Sequence, residues 1–470
     1  MRNHWNLRNT EGYFRIEYII GAFLLIRLIG ITNAPLEIAH NWRQVTGLMV
    51  ARNYFEIDPT FWLPRVDETN GLTGIIGMEF PLLNYLHYLF SLVFDYQHWY
   101  GRLINLIVSS VGCYFFYKLI KERINLKTAY YATIFLLGSI WFIYSRKMMP
   151  DTFSMSLGFI GLYFCQVHLR NNAIKSYTLF YLFLSLAFLS KISALMCVMG
   201  IPFLMVKNQS NPAKIRVAIG VLASFILTYL WYFQWNPHLS ETYGNWYNSG
   251  TSIGKGFMEL MGNVPETLKR IYFSSFNSYI AFLLLVCSTV YLIIKKQYKS
   301  LLFLTLTSAL FLIYMSKSGS IFYIHGYYII PIVPMFSVII GMLINSIKNQ
   351  KIVLALVILF LIESLSNQQH DLFIKESETY KLTLENIISE YSNRNDLVAI
   401  NGNGNPQELY LSHRKGFVLN NEDLMSTEKI NEIKNKGCQF LIINRHAYSK
   451  SINFTRIFKN EDYIIYDISD

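Results

Sequence analysis

Asp151 stands in the stretch Tyr144-Ser145-Arg146-Lys147-Met148-Met149-Pro150-Asp151-Thr152-Phe153-Ser154, a tight turn between two apolar runs. A carboxylate there, beside Arg146 and Lys147, is placed to orient an acceptor or a catalytic partner, although the helix dipole after a proline would also favour it. The segment Pro35-Leu36-Glu37-Ile38-Ala39-His40-Asn41-Trp42-Arg43-Gln44 holds a carboxylate, an imidazole, a guanidinium and an amide within eight residues, Glu37 to Gln44. That density is unusual for a connector, with Trp42 and Arg43 as interface anchors the plainer alternative. Glu79 precedes an apolar segment in Gly77-Met78-Glu79-Phe80-Pro81-Leu82. Lys191 interrupts two apolar runs, and His325 with Tyr327 and Tyr328 opens another in Ile324-His325-Gly326-Tyr327-Tyr328-Ile329-Ile330-Pro331. A cation and hydrogen-bond donors at a membrane surface are what a lipid phosphate needs. A snorkelling lysine and an interfacial tyrosine belt are the alternatives.

These residues are distributed along a chain of 470 residues that is 53% hydrophobic, 16% aromatic and only 15% charged, where a soluble domain carries about 25% charge. The apolar residues gather into about eleven runs, near 16–34, 99–119, 128–146, 152–169, 174–190, 192–206, 216–234, 278–294, 301–316, 326–346 and 351–366, most of them close to the ~20 residues that cross a bilayer. The expected fold class is therefore mainly α: a polytopic membrane protein. The first run follows a basic start, Arg2, Arg8 and Arg15, lacks a small-residue cleavage site, and reads as an uncleaved span. The net charge of +11 comes largely from short loops. That placement points to the positive-inside rule and away from nucleic acid. With a cytoplasmic N-terminus the inner loops hold Lys118, Lys121, Arg123 and Lys127, then Arg170 and Lys175, Lys207, Lys214 and Arg216, Lys295, Lys296 and Lys299, and Lys348 and Lys351. Glu37, His40, Arg43, Asp67, Glu68, Glu79, Asp151, Lys191 and His325 then all fall in or beside outer loops.

The domain expectation is a membrane part over residues 1–366, with outer loops 35–98 and 235–277, and a soluble extracytoplasmic α/β domain over 367–470. In the first loop, amphipathic stretches such as Thr46 to Phe55 suit helices lying in the interface plane. In the tail, Leu397 to Asn401, Phe440 to Asn444 and Tyr463 to Ile468 read as strands, with helical stretches near 380–391 and 424–436. The run Asn401-Gly402-Asn403-Gly404-Asn405 resembles half of a nucleotide fingerprint but lacks its third glycine, and it reads as a turn. Cys113, Cys165, Cys197 and Cys287 lie in apolar runs and Cys438 in the tail, so neither a disulfide framework nor a metal site is expected.

The order of a first span, a large polar outer loop, an acidic residue after the third span, a lysine after the fifth and a His-x-Tyr-Tyr-x-x-Pro entry to a late span resembles the GT-C glycosyltransferases. It is most similar to the branch of protein O-mannosyltransferases and lipid A aminoarabinose transferases, over roughly residues 10–345. The resemblance implies a polyprenyl-phosphate sugar donor and an acidic base in the first outer loop. That family motif is usually an acidic pair, and this chain has His40-Asn41-Trp42-Arg43-Gln44 instead. The base is left between Glu37 and His40. Asp151 matches the family's second acidic position. Glu79 before Phe80-Pro81-Leu82 resembles a Glu-Lys-Pro-Pro-Leu stretch without its lysine, and Lys191 and His325 fit positions facing the donor phosphate.

Inverting transfer needs a base near the acceptor hydroxyl and positive or hydrogen-bonding groups on the departing phosphate. Lys, Arg and His can serve a monophosphate, so a divalent metal is possible but not required. The expected partners are a polyprenyl-phosphate sugar, an extracytoplasmic glycan, lipid or protein acceptor, and membrane lipids, with no nucleic acid. The expected location is a bacterial inner membrane with the active site on its outer face. A lipid-glycan flippase would show repeats and broken midplane helices, and no internal repeat is present in the sequence. A polymerase or ligase with a lipid-diphosphate donor needs much the same groups.

Overall fold

The computed structural model describes residues 14–206, 209–245, 250–448 and 452–469; Arg2, Arg8 and Lys207 of the basic segments lie outside them. The chain is mostly helical and divides into two compact units. One comprises Met1–Ile31, Arg102–Trp231 and Ser249–Leu372, and the other Thr32–Gly101, Tyr232–Asn248 and Phe373–Asp470.

Among the described residues, five helices are long and apolar enough to cross a membrane: Tyr100–Arg123, Pro150–Asn171, Asn211–Tyr243, Tyr298–Ser318 and Gln350–Leu372. A sixth is counted if Val264–Ser274 and Tyr279–Ile294, bent by 90°, form one span. Other expected spans fold as shorter pieces, for local reasons. The first is a 12-residue helix, Ile16–Arg27, only ~18 Å long at 1.5 Å per residue. The run at 192–206 becomes a 3-10 stretch, Ile192–Gly200, followed by Ile201–Leu204 with a proline in its first turn. In the run 326–346, Pro331 and Pro334 delay the regular helix, and it spans Val333–Ser346.

Small residues set the close approaches inside the first unit. A Cβ on Gly112 would sit 2.3 Å from Cβ of Ser156, and one on Gly161 would sit 3.0 Å from the Leu184 backbone nitrogen. Helices that associate in lipid gain from packing backbone against backbone in this way. Arg27, within the first apolar run, is fully buried. It donates to the Phe23 carbonyl at 3.0 Å, Ser145 Oγ at 2.5 Å and Ser110 Oγ at 3.3 Å, which satisfies its charge internally.

In the second unit the helix Asn41–Glu56 carries the stretch expected at the membrane interface, but it is enclosed rather than one-sided. Every residue from Gly47 to Tyr54 is buried, Arg52 and Asn53 included. Arg52 explains how: it pairs with Asp67 at 2.6 Å and donates to the Tyr410 carbonyl at 3.1 Å, so the C-terminal segment covers this helix.

The C-terminal segment forms a five-stranded sheet of order β2-β1-β3-β5-β4, with β1 Leu397–Ile400, β2 Lys415–Val418, β3 Cys438–Asn444, β4 Thr455–Lys459 and β5 Tyr463–Asp467. β1 pairs in parallel with β2 and β3, while β5 runs antiparallel to β3 and β4. The three strands read from sequence are β1, β3 and β5. The other two are an edge strand of four residues and one whose residues are exposed or half-buried, so neither shows a run of buried apolar residues.

Candidate active site

The candidate residues fall into two groups, one in each unit. In the first unit, Met149 is extended, Pro150 takes the first helical position and Asp151 follows in the first turn of Pro150–Asn171. Proline's missing N–H costs nothing there, and the carboxylate meets the positive end of the helix dipole. The turn is held by Asn105, a fully buried residue on the helix Tyr100–Arg123. Its side-chain amide donates to the carbonyls of Tyr144 at 3.2 Å, Lys147 at 2.8 Å and Met149 at 3.1 Å. Its oxygen accepts from Ser109 at 2.9 Å and Thr152 at 3.2 Å.

Lys191 ends the helix Ile174–Ser190 with an extended backbone and precedes the 3-10 stretch. This break aims its ammonium at Asp151, Nζ to Oδ1 3.8 Å, with side-chain exposures of 9% and 3%. The same ammonium lies 5.9 Å from the centre of the Tyr327 ring. His325 follows the short helix Ser320–Ile324, and a single 3-10 turn, Gly326–Ile329, sets Tyr327 and Tyr328 side by side. Ring centres are 5.6 Å apart for His325 and Tyr327, 4.9 Å for the two tyrosines, and 5.9 Å for Tyr144 and Tyr327. Arg270 fastens the preceding turn, its Nε donating to the Tyr323 carbonyl at 2.9 Å.

The two cations expected to flank Asp151 are instead buried. Lys147 Nζ pairs with Asp371 Oδ2 at 3.1 Å, and Arg146 donates to the carbonyls of Asp371 at 3.1 Å and Ile29 at 2.6 Å. A buried pair of this kind fixes the turn, and removing either partner would leave an uncompensated charge.

In the second unit, Glu37 is buried and accepts a hydrogen bond from Gln44 Nε2 at 2.7 Å. Its backbone bridges to Ile374. His40 is half-buried and caps the helix Asn41–Glu56 from a left-handed conformation, φ 57°. Arg43 forms an ion pair with Glu79 at 2.6 Å, both largely shielded from solvent. The neighbouring Asp67 accepts from Arg52 at 2.6 Å and Asn53 at 2.9 Å. Beside it, burial pushes the Glu68 carboxyl up to about 7.

Asp151, Lys191, His325, Tyr327 and Tyr328 are thus brought together in one unit, and Glu37, His40, Arg43 and Glu79 in the other. Sequence reasoning missed Asn105, Asp371 and Arg270, and it saw Gln44 only as one member of the first-loop cluster, without its bond to Glu37. Asn105 carried a usable signal, since an asparagine inside an apolar run must find partners. Among the described residues, no group of three or more His, Cys, Asp or Glu side chains is arranged to hold a metal ion.

Residues 79–232, which include Glu79, Asp151 and Lys191, match the family model of dolichyl-phosphate-mannose-protein mannosyltransferase. No curated protein matches the chain by sequence. Among solved structures, ArnT from Cupriavidus metallidurans in the apo state superposes with a TM-score of 0.64 at 11% identity, covering 96% of this chain and 98% of that one. The same protein bound to undecaprenyl phosphate gives 0.61 at 11% identity, with the same coverage. The archaeal oligosaccharyltransferase AglB from Archaeoglobus fulgidus, in complex with an inhibitory peptide and a dolichol-phosphate, gives 0.54 at 10% identity over 91% of this chain and 70% of that one. The chain thus shares its fold with ArnT and AglB, and over residues 79–232 it resembles the dolichyl-phosphate-mannose-protein mannosyltransferases.

Proposed function

We propose that the protein transfers a sugar from a polyprenyl-phosphate donor to a hydroxyl or amine of a glycan, lipid or protein outside the cell membrane, which in a bacterium is the inner membrane. Residues 1–366 are assigned to the membrane part and 367–470 to the extracytoplasmic α/β domain. The observation that carries the reading is the Lys191 ammonium held between the Asp151 carboxylate and the Tyr327 ring, with His325 against the same ring. ArnT has been seen with undecaprenyl phosphate and AglB with a dolichol-phosphate, which favours a polyprenyl-phosphate ligand in this fold.

In this reading the bond between the anomeric carbon and the phosphate oxygen breaks as the acceptor atom bonds to that carbon. The acceptor's proton passes to Glu37 or His40, and the electron pair leaves with the polyprenyl phosphate. Lys191 and His325 stabilise the charge that accumulates on the departing phosphate. Asp151 holds Lys191 in place, while Tyr327 and Tyr328 supply the ring face and donors beside it. Arg43, paired with Glu79, is assigned to acceptor binding.

Purified protein is offered a polyprenyl-phosphate sugar or the corresponding polyprenyl-diphosphate sugar, and released lipid is measured. Turnover of the monophosphate alone is expected, with donor binding weakened about tenfold or more in Lys191→Ala and in His325→Ala. Turnover of the diphosphate alone would transfer the assignment to a polymerase or ligase. Wild-type affinity in both variants would remove the phosphate site.

A further inference from the structure

The C-terminal sheet has a topological switch point that the transfer reaction does not use. From the carboxyl end of β1 the chain crosses to β2 on one side, and from the carboxyl end of β3 it leaves toward β4 and β5 on the other. The crevice between diverging crossovers is where open α/β sheets bind ligands. Here it opens into a cavity of about 400 Å³, within the ~300–1,000 Å³ of small-ligand sites. The Asn401–Asn405 turn forms its rim: a Cβ on Gly402 would sit 2.3 Å from the Asn405 carbonyl oxygen, and Gly404 has φ 76°.

The lining is built rather than incidental. Asn444, at the end of β3, donates its backbone N–H to Asn401 Oδ1 at 2.7 Å and its side-chain amide to Glu408 Oε1 at 2.7 Å and Tyr380 Oη at 2.8 Å. Tyr463 also donates to Glu408 Oε1, at 3.0 Å. Asn401, Glu408 and Asn444 are each at least nine-tenths buried. Among the described residues both hydrogen bonds to the Glu408 carboxylate fall on Oε1, so Oε2 keeps its capacity to accept. Tyr380 packs against the exposed His446, ring centres 4.3 Å apart, giving the cavity an aromatic wall.

Charge selects the ligand class. The one lysine of the lining, Lys381, is engaged by Glu378 at 3.2 Å and by Gln407 at 2.9 Å. Glu378 is also held by Lys375 at 3.0 Å, and burial raises the Glu408 carboxyl above the usual carboxylate range. A phosphate or nucleotide would therefore have to compete with Glu378 for Lys381. A neutral polyol fits: its hydroxyls donate to a carboxylate oxygen and accept from amide and phenol groups, while its apolar face lies on an aromatic ring.

We propose that the crevice at the carboxyl ends of β1 and β3 binds a neutral saccharide, making the C-terminal domain a glycan-reading module. It rests on the glycosyl-transfer reading only for its biological sense, because the acceptor would then be a glycan. Binding to the crevice is measured apart from turnover.

The test uses the full chain in detergent and saturation-transfer NMR with methyl α-mannoside, methyl β-glucoside and methyl β-galactoside as probes. At least one is expected to show transfer. Glu408→Gln keeps an oxygen for Asn444 and Tyr463 but presents an amide where an acceptor is required, and it should abolish that transfer with thermal unfolding unchanged. The exposed His446→Ala should weaken binding by about tenfold through loss of the ring wall. If Glu408→Gln misfolds, His446→Ala carries the test alone. Absence of transfer from all three glycosides, unaltered transfer in His446→Ala, or displacement of the glycoside by inorganic phosphate would overturn the proposal. Turnover of a polyprenyl-phosphate sugar in a protein that fails this test would leave the transfer reading intact.

Discussion

His40 holds φ at 57° as the residue before the helix Asn41–Glu56, so alanine there would test backbone strain as well as chemistry. Asparagine tolerates that conformation and lacks the imidazole, which makes His40→Asn the informative variant. Glu37→Gln retains an oxygen able to accept from Gln44 and removes only the basic carboxylate. If Glu37 is the base, Glu37→Gln should lower turnover by about 10²–10⁴ with donor affinity retained, and His40→Asn should cost far less. The reverse ranking in a single-turnover assay would assign the base to His40. Asp151 and Lys191 were legible in the sequence because ionisable groups at the ends of apolar runs are expensive and stand out. Their pairing was not, since it depends on a break in helix geometry at Lys191 that residue types do not reveal. Arg146 and Lys147 stand out in the sequence equally well. Their carbonyl and Asp371 contacts give them a holding role that proximity to Asp151 alone did not suggest.

Helical elements place that chemistry through one cross-connection. Asn105 is the point where the helix Tyr100–Arg123 grips the turn leading to Asp151, and its three bonds to main-chain carbonyls have no substitute in an alanine. Asn105→Ala leaves buried acceptors unmet, at a cost of about 1–3 kcal/mol. The apparent Tm should fall, and turnover should fall further, because the Asp151 turn loses its support. Thr133→Ala is the control: its hydroxyl donates only to the Ala129 carbonyl of its own helix, at 2.8 Å, so both quantities should stay near wild type. A wild-type Tm and turnover in Asn105→Ala would refute this account. Apolar run length, the sequence signal for spans, located the helices well but overstated their continuity. Prolines at 202, 331 and 334 and the polar break at Lys191 interrupt runs whose mean hydropathy remains high.

At the scale of the molecule, the least legible feature was the joining of distant segments into one unit. The Glu37–Ile374 bridge and the bond from Arg52 to the Tyr410 carbonyl link residues far apart in the chain, and hydrophobic periodicity carries only local information. Orientation rests on where the basic residues fall along the chain. The helices Tyr100–Arg123 and Pro150–Asn171 end on Lys121 and Arg123, and on Arg170, whereas Asn211–Tyr243, Tyr298–Ser318 and Gln350–Leu372 begin beside Lys214 and Arg216, Lys299, and Lys351. We propose that the carboxyl ends of the first two and the amino ends of the last three face the cytoplasm, where the positive-inside rule places basic residues. The C-terminal domain should lie on the opposite side. Native Cys438 cannot report on this, because it is buried in β3. A variant with Cys287 replaced by alanine, carrying either Asn393→Cys or Lys175→Cys at an exposed position, is treated in intact cells with a membrane-impermeant maleimide. Position 393 should react at once and position 175 only after permeabilisation. Reaction at 175 in intact cells, with 393 protected, would invert the topology and place the C-terminal domain in the cytoplasm.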